Sequence, residues 1–176
     1  MTSTLKADKI EGVTASGTVQ MPAGMVIQTV SANTNTQVSA DSTSYVSTGL
    51  SLNITPKFSS SKILISFSAV IYIAGEGEWS IVTCYRESGT ASSGSAISGT
   101  DLAQSGVWGL GALHCDTTSN VVAANGGVLN CAGIEDSPST TSQLRYTIAY
   151  RNYDTATNYF CINTTRSTLV AQEIAQ

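Results

Sequence analysis

The chain has 176 residues, a net charge of −4 and a pI near 4.7. Only 11% of its residues are charged, against about 25% in an average soluble domain, and Ser and Thr, about a quarter of the chain, take up the difference. The eight Lys and Arg residues are scattered from Lys6 to Arg166, which argues against a phosphate-tracking nucleic-acid surface and an anionic-membrane patch; no apolar run reaches the length of a membrane span.

Residues 1–24, "MTSTLKADKIEGVTASGTVQMPAG", differ from the rest. Their apolar residues are sparse and spaced (Leu5, Ile10, Val13, Val19, Met21), too few to fold alone. The expectation is an extended arm that pairs with a partner. The segment has no hydrophobic core of a signal peptide, so folding in a cytoplasm is expected.

From Met25 the pattern turns to strands. Residues 25–30, "MVIQTV", read as the first, and 31–44 as loop or frayed edge. In "GLSLNIT", Leu50, Leu52 and Ile54 alternate with Ser51, Asn53 and Thr55, the period-two signature of a half-buried strand. Pro56 ends it. Then Ile63, Ile65, Phe67, Ala69, Ile71 and Ile73 share one face of a long strand, and Leu64, Ser66, Ser68, Val70 and Tyr72 share the other.

Residues 75–87 turn at glycines and continue as a strand, and 88–101 form a low-complexity loop. Residues 107–115 and 120–133 read as strands broken by glycine, with Gly126-Gly127 as a turn, and 135–142 as a loop. In "QLRYTIAYR", Leu144, Tyr146, Ile148 and Tyr150 point inward. The turn "NYDTATN" predicts "YFCIN" as a hairpin partner, and 167–175 form the last strand. Eight or nine short strands without a helix predict an all-β, jelly-roll-like antiparallel β-sandwich over 25–176, preceded by the extended N-terminal arm of 1–24.

Catalytic and ligand motifs are weak throughout, and no catalytic, cofactor-binding or metal-binding residue is assigned. His114, the single histidine, adjoins Cys115 and Asp116, but neighbouring strand residues point to opposite faces. The four cysteines, at 84, 115, 131 and 161, lack the close pairs of a zinc site and read as buried thiols. "GVWGLG", 106–111, fits neither nucleotide-loop spacing. The acid pairs Glu76/Glu78 and Glu135/Asp136 read as solvated loops rather than as facing catalytic carboxylates. Trp79, Trp108 and the tyrosines are ring candidates for sugar stacking, with core or interface packing as the commoner fate.

Three stretches, "STLKADKIEGVTASGTVQMPAGMVIQTV", "SYVSTGLSLNITPKFSSSKILISFSAVI" and "DSPSTTSQLRYTIAY...YFCINTTRSTLVAQEIAQ", resemble a family of small tail-fibre-like virion proteins of tailed bacteriophages, including phages of cyanobacteria and other marine bacteria. The run Y-V-x-T-G-L-S-L-x-I-T-P-x-x-x-S-S-K-I-L-I is its most distinctive piece; the middle, 86–135, carries the least likeness. The resemblance implies a non-enzymatic, trimeric protein on the exterior of a virion, assembled in the host cytoplasm, with a jelly-roll-like body.

In that setting Leu64, Val70 and Tyr72 are expected to touch sister subunits. The arm residues Leu5, Ile10, Val13, Val19 and Met21 are expected to dock on a capsid, portal or tail protein by strand addition. Loops 88–106 and 134–142 would then face a host surface glycan. Capsid decoration that stabilises the head is the alternative placement, and a carbohydrate-binding module the alternative class. No cofactor, nucleic acid or membrane insertion is expected.

Overall fold

The structure is a computed structural model that describes residues 22–74, 77–103, 106–115, 125–154, 157–161 and 164–176. Its strands are β1 (Val26–Thr34), β2 (Val38–Ala40), β3 (Val46–Ile54), β4 (Lys62–Ile73), β5 (Trp79–Glu87), β6 (Gly99–Asp101), β7 (Gly111–His114), β8 (Asn125–Asp136), β9 (Leu144–Asn152), β10 (Asn158–Phe160) and β11 (Ser167–Ile174). All pairings are antiparallel.

The long β4 organises the first sheet. One edge of β4 pairs with β8 along nearly its whole length. The other edge pairs with β11 from Lys62 to Ser68 and with β10 from Ile71 to Ile73. Between those pieces the Cys161 N–H bonds the Val70 carbonyl and the Val70 N–H bonds Ser167 Oγ, so hydrogen bonding along that edge carries across the break. Strands β1 and β2 lie outside β11 and β10. The second sheet runs β3-β9-β5, with β6 and β7 sharing the far edge of β5.

Three pairs of strands (β1/β2, β6/β7 and β10/β11) act end to end, so the chain traces eight columns. In chain order the columns alternate between sheets, except where β5 and β6/β7 form a hairpin. That winding is the jelly roll.

The core follows from period-two alternation. Ile63, Ile65, Phe67, Ala69, Ile71 and Ile73 are buried, and their neighbours on β4 are half-exposed. They meet Leu50, Leu52 and Ile54 of β3, Val82 and Cys84 of β5, and Tyr146, Ile148 and Tyr150 of β9. Each fully buried Ile contributes about 1.5–3 kcal/mol by leaving water.

Four expectations are corrected. Residues 31–34 and 38–40 are edge strand rather than loop: β1 runs to Thr34 because β11 offers a continuous edge to Ser167, and β2 pairs with β10. Gly126-Gly127 is not a turn; both sit inside β8 opposite Tyr72 and Ile71. A side chain at Gly127 would meet Leu113 Cδ1 at 3.0 Å, so this glycine lets β7 pack close. "YFCIN" is not the hairpin partner of β9, because β10 crosses to β4 and β2 in the opposite sheet. Only Gly111–His114 of 107–115 is strand; residues 107–110 form a turn.

The loop after β5 is also ordered against the body. The Ser47 N–H bonds Ser95 O, the Gly94 N–H bonds Ser47 O, and Val46 bridges Ala96. Residues 88–98 thus form a strap from β5 to the start of β3. Beneath this side of the second sheet Thr83, Thr147, Ala149 and Ile81 are fully buried although they point away from the core.

Candidate functional site

Most charged and amide side chains of the body are spent on holding the sheets together. Arg86 Nη1 on β5 reaches Asp136 of β8 at 2.6 and 2.8 Å, and the Tyr146 hydroxyl donates to Asp136 at 2.6 Å. Glu87 accepts from Arg145 Nε at 2.8 Å, from Thr147 Oγ1 at 2.6 Å and from the Ala91 N–H, anchoring the strap. Buried Glu173 accepts from Gln28 Nε2 and from the N–H groups of Lys57 and Phe58. At the other end Asn158 Nδ2 donates to Asn152 Oδ1, and Asn152 Nδ2 donates to Ala40 O. Groups so committed have structural partners, including Glu87 and Arg145, which pair with each other where they line a small cleft with Asn53, Thr90 and Gln143.

The motifs singled out in the sequence separate accordingly. Glu135 turns outward to Lys62 Nζ at 2.8 Å while Asp136 turns inward to Arg86, so that pair diverges and is not a solvated loop but the end of β8. His114 is exposed and Cys115 buried. Asp116 and Glu76 lie outside the described residues. Cys84, Cys115 and Cys161 are buried, Cys131 is half-buried, and burial pushes the Cys84 thiol far up. Among the described residues no three His, Cys, Asp or Glu side chains gather as a metal site, and no helix is long and apolar enough to cross a membrane.

Two surfaces remain. The first is the outer face of the β4 sheet. Leu64, Val70 and Tyr72 lie there, half-exposed, with Ser66 and Ser68 between them. Register places Val128 opposite Val70, Val170 opposite Ser66 and Tyr159 opposite Tyr72, and the two tyrosine rings sit 5.9 Å apart. Shallow grooves run between Lys62, Leu64, Glu135 and Ile174, and between Ser66, Ala132, Thr168 and Val170. This face is apolar and hydroxyl-bearing, with the Lys62–Glu135 ion pair at one end. The arm residues Leu5, Ile10, Val13, Val19 and Met21 lie outside the described residues. The chain enters the body beside the same end, where the Gly24 N–H bonds Ala175 O.

The second surface is a row of rings on the outer side of the second sheet. Trp79 opens β5 and His114 closes β7 directly across the ladder, and their rings stack at 4.1 Å and 22°. Trp108 packs on Trp79 at 4.7 Å and on Tyr153 at 5.6 Å, nearly parallel to the latter at 10°. Trp108 is 45% exposed and Tyr153 55%.

The turn that carries Trp108 is pinned. The Leu110 N–H bonds Val82 O at 2.9 Å, the Gly109 N–H bonds Gly106 O, and Arg151 Nη2 donates to Val107 O. Gly109 has φ +59°, and a side chain there would strike Val82 O at 2.5 Å, which is why "GVWGLG" needs its glycine.

Glu78 precedes Trp79 and Asp154 follows Tyr153 in the chain, and the two carboxylates lie close enough for their charges to interact. Glu78 Oε2 is out of solvent contact with no hydrogen-bond partner. Burial, with the Asp154 charge adding to it, raises the Glu78 pKa above the usual carboxylate range. Sequence reading named Trp79, Trp108 and the tyrosines as a group, but did not single out Tyr153 and missed Arg151. Their only sequence signal was alternation, which places them outward on β9 and just past it.

No known protein family matches the chain, and no curated protein matches it. Among solved structures, the chain is similar to a protein of the T13 viral particle of infectious bursal disease virus, at 11% identity and TM-score 0.43, over 95% of this chain and 40% of that one. It is also similar to a protein of T=1 particles derived from that virus, at 10% identity and TM-score 0.41, over 96% of this chain and 41% of the other, and to the VP2 subviral particle protein of the same virus, at 11% identity and TM-score 0.39, over 86% and 38%. The chain thus spans about two fifths of the length of the first of these proteins. At this level the likeness carries no argument about the site, which rests on the chain's own topology and side chains.

Proposed function

We propose that the chain is a non-enzymatic structural protein of a virion, displayed on the particle exterior as a homotrimer. The observation that supports this reading most is an asymmetry between the two outer faces. The chain's own strap and the pinned Trp108 turn lie over parts of the second sheet, whereas the β4 sheet leaves Val128 exposed and Leu64, Val70, Tyr72 and Val170 partly exposed. Another copy of the same chain is the occupant we assign to that face. Its low-charge, hydroxyl-bearing character suits an uncharged self-contact, and a closed ring of identical chains leaves no unused binding face. The resemblance to tail-fibre-like phage proteins supports the same role.

Within this reading the arm of 1–24 docks the trimer on a capsid, portal or tail protein, with Leu5, Ile10, Val13, Val19 and Met21 setting the register of an added strand. A fibre would present the body to a host surface glycan; a decoration protein would clamp the head. We favour the fibre. Mass measurement in solution tests the proposal. The full chain is expected as a trimer, and Val70→Lys with Leu64→Lys as a folded monomer. Ile10→Asp with Val13→Asp is expected to leave the trimer intact and abolish incorporation into particles. A wild-type chain that stays monomeric at micromolar concentration overturns the trimer and the contact face together.

A further inference from the structure

We infer that the row Trp79–Trp108–Tyr153, with the exposed Asp154 next to Tyr153, is a carbohydrate-binding platform for a pyranose ring. This deepens the proposed function by giving the glycan partner a site. It rests on that reading only for the source of the sugar, since the platform lies within one chain.

Rigidity is the first argument. Trp108 sits on a turn held by three hydrogen bonds and a glycine that no other residue replaces without a clash. An exposed tryptophan fixed in this way loses little conformational freedom on binding, which is what a low-energy ligand such as a sugar requires. Trp108 and Tyr153 are parallel but 5.6 Å apart, an offset stack that leaves part of each ring face open.

Size decides between partner classes. With Trp108 and Tyr153 about half exposed, the open ring area is on the order of 200 Å², taking about 150–250 Å² per aromatic side chain. A protein partner needs about 800 Å² on each side. The open area suits one or two sugar rings.

Chemistry decides between small ligands. The rings lie in a row and do not converge on a point, so they do not form the cage that holds a quaternary ammonium. Asp154, next to Tyr153 in the chain, is exposed and can accept from a ligand. A pyranose offers an apolar C–H face to the rings and hydroxyl donors to the Asp154 carboxylate, answering both demands at once.

Trp79 and Trp108 are the two tryptophans of the chain, so intrinsic fluorescence reports on the platform alone. The experiment titrates the full chain with glucose, galactose, mannose, N-acetylglucosamine and their homodisaccharides, and reads tryptophan emission together with saturation-transfer NMR on the sugar C–H protons. At least one sugar is expected to give a saturable change. Trp108→Ala and Tyr153→Ala are expected to abolish it, Trp108→Phe to retain part of it, and Asp154→Asn to weaken it about tenfold. Circular dichroism shows which variants are folded.

The inference falls if none of these sugars gives a saturable signal. It falls equally if the signal survives Trp108→Ala combined with Tyr153→Ala, or if Trp108→Ala removes self-association instead. Val70→Lys, which tests the trimer, is expected to leave sugar binding per chain unchanged, so the two proposals fail separately.

Discussion

Arg86 on β5 and Asp136 at the end of β8 meet across the sandwich, with Nη1 lying 2.6 and 2.8 Å from the two carboxylate oxygens. Arg86 is 26% exposed and Asp136 8%, so the pair is mostly out of water, and the Tyr146 hydroxyl completes it at 2.6 Å. Asp136→Ala leaves Arg86 with only Thr100 Oγ1 at 3.4 Å and the Tyr146 phenol without its acceptor, and is expected to cost about 3 kcal/mol, the lower end of the range for breaking a buried pair. Replacing the group together (Arg86→Met, Asp136→Leu, Tyr146→Phe) is expected to recover most of that loss. Chemical denaturation midpoints at constant slope check both.

Burial also governs the alkaline limit of the fold. The Tyr150 hydroxyl is pushed well above its ordinary value by burial, and that of Tyr146 by burial and by the bonded Asp136 carboxylate. The folded state therefore binds more protons than the unfolded state from about pH 10 upward. The stabilisation from the neutral phenols is complete below that pH and is lost as pH rises toward the folded values. Phenolate absorbance is expected to show two of the seven tyrosines ionising only as circular dichroism reports unfolding. Tyr150→Phe is expected to make the alkaline loss shallower.

Gly109→Ala places a methyl group against Val82 O in a left-handed backbone position. The expected cost is about 1–3 kcal/mol. A red shift in tryptophan emission, as the Trp108 turn lifts from Trp79, distinguishes this from a general loss of stability.

Glu87 anchors the strap, with its side chain 1% exposed and donors from Arg145, Thr147 and Ala91 around it. Glu87→Ala strips three donors of their acceptor and is expected to lower stability by about 2–4 kcal/mol. Elastase is expected to cut the variant between 88 and 98 under conditions where the wild type stays intact. A wild-type chain cut there at the same rate contradicts the docked strap.

Alternation made much of the body legible. The inward rows of β4, β9 and β11 repeat every second residue, because a strand with one face in the core has no other way to arrange its side chains. Ser47, Thr83 and Thr147 show where such reading stops. They are polar and point outward, yet they are buried, Ser47 bonded to the strap, Thr83 to Asp101 and Thr147 to Glu87, and no local periodicity reveals those partners. Gly126-Gly127 failed for the opposite reason: a glycine pair reads as a turn locally, but Leu113 needs the space within a strand.

From residue order alone came the all-β class, the identity of the core rows and the burial of Cys84, Cys115 and Cys161, because these depend on local periodicity and side-chain type. The folded chain alone decided that β10 leaves β9 for β4, that Asp136 faces Arg86 while Glu135 faces water, and that rings from three separate segments form one row. Those relationships join residues dozens of positions apart, and their energies depend on which sheet each strand enters. Nothing in a stretch of sequence carries that information until the two sheets close on each other.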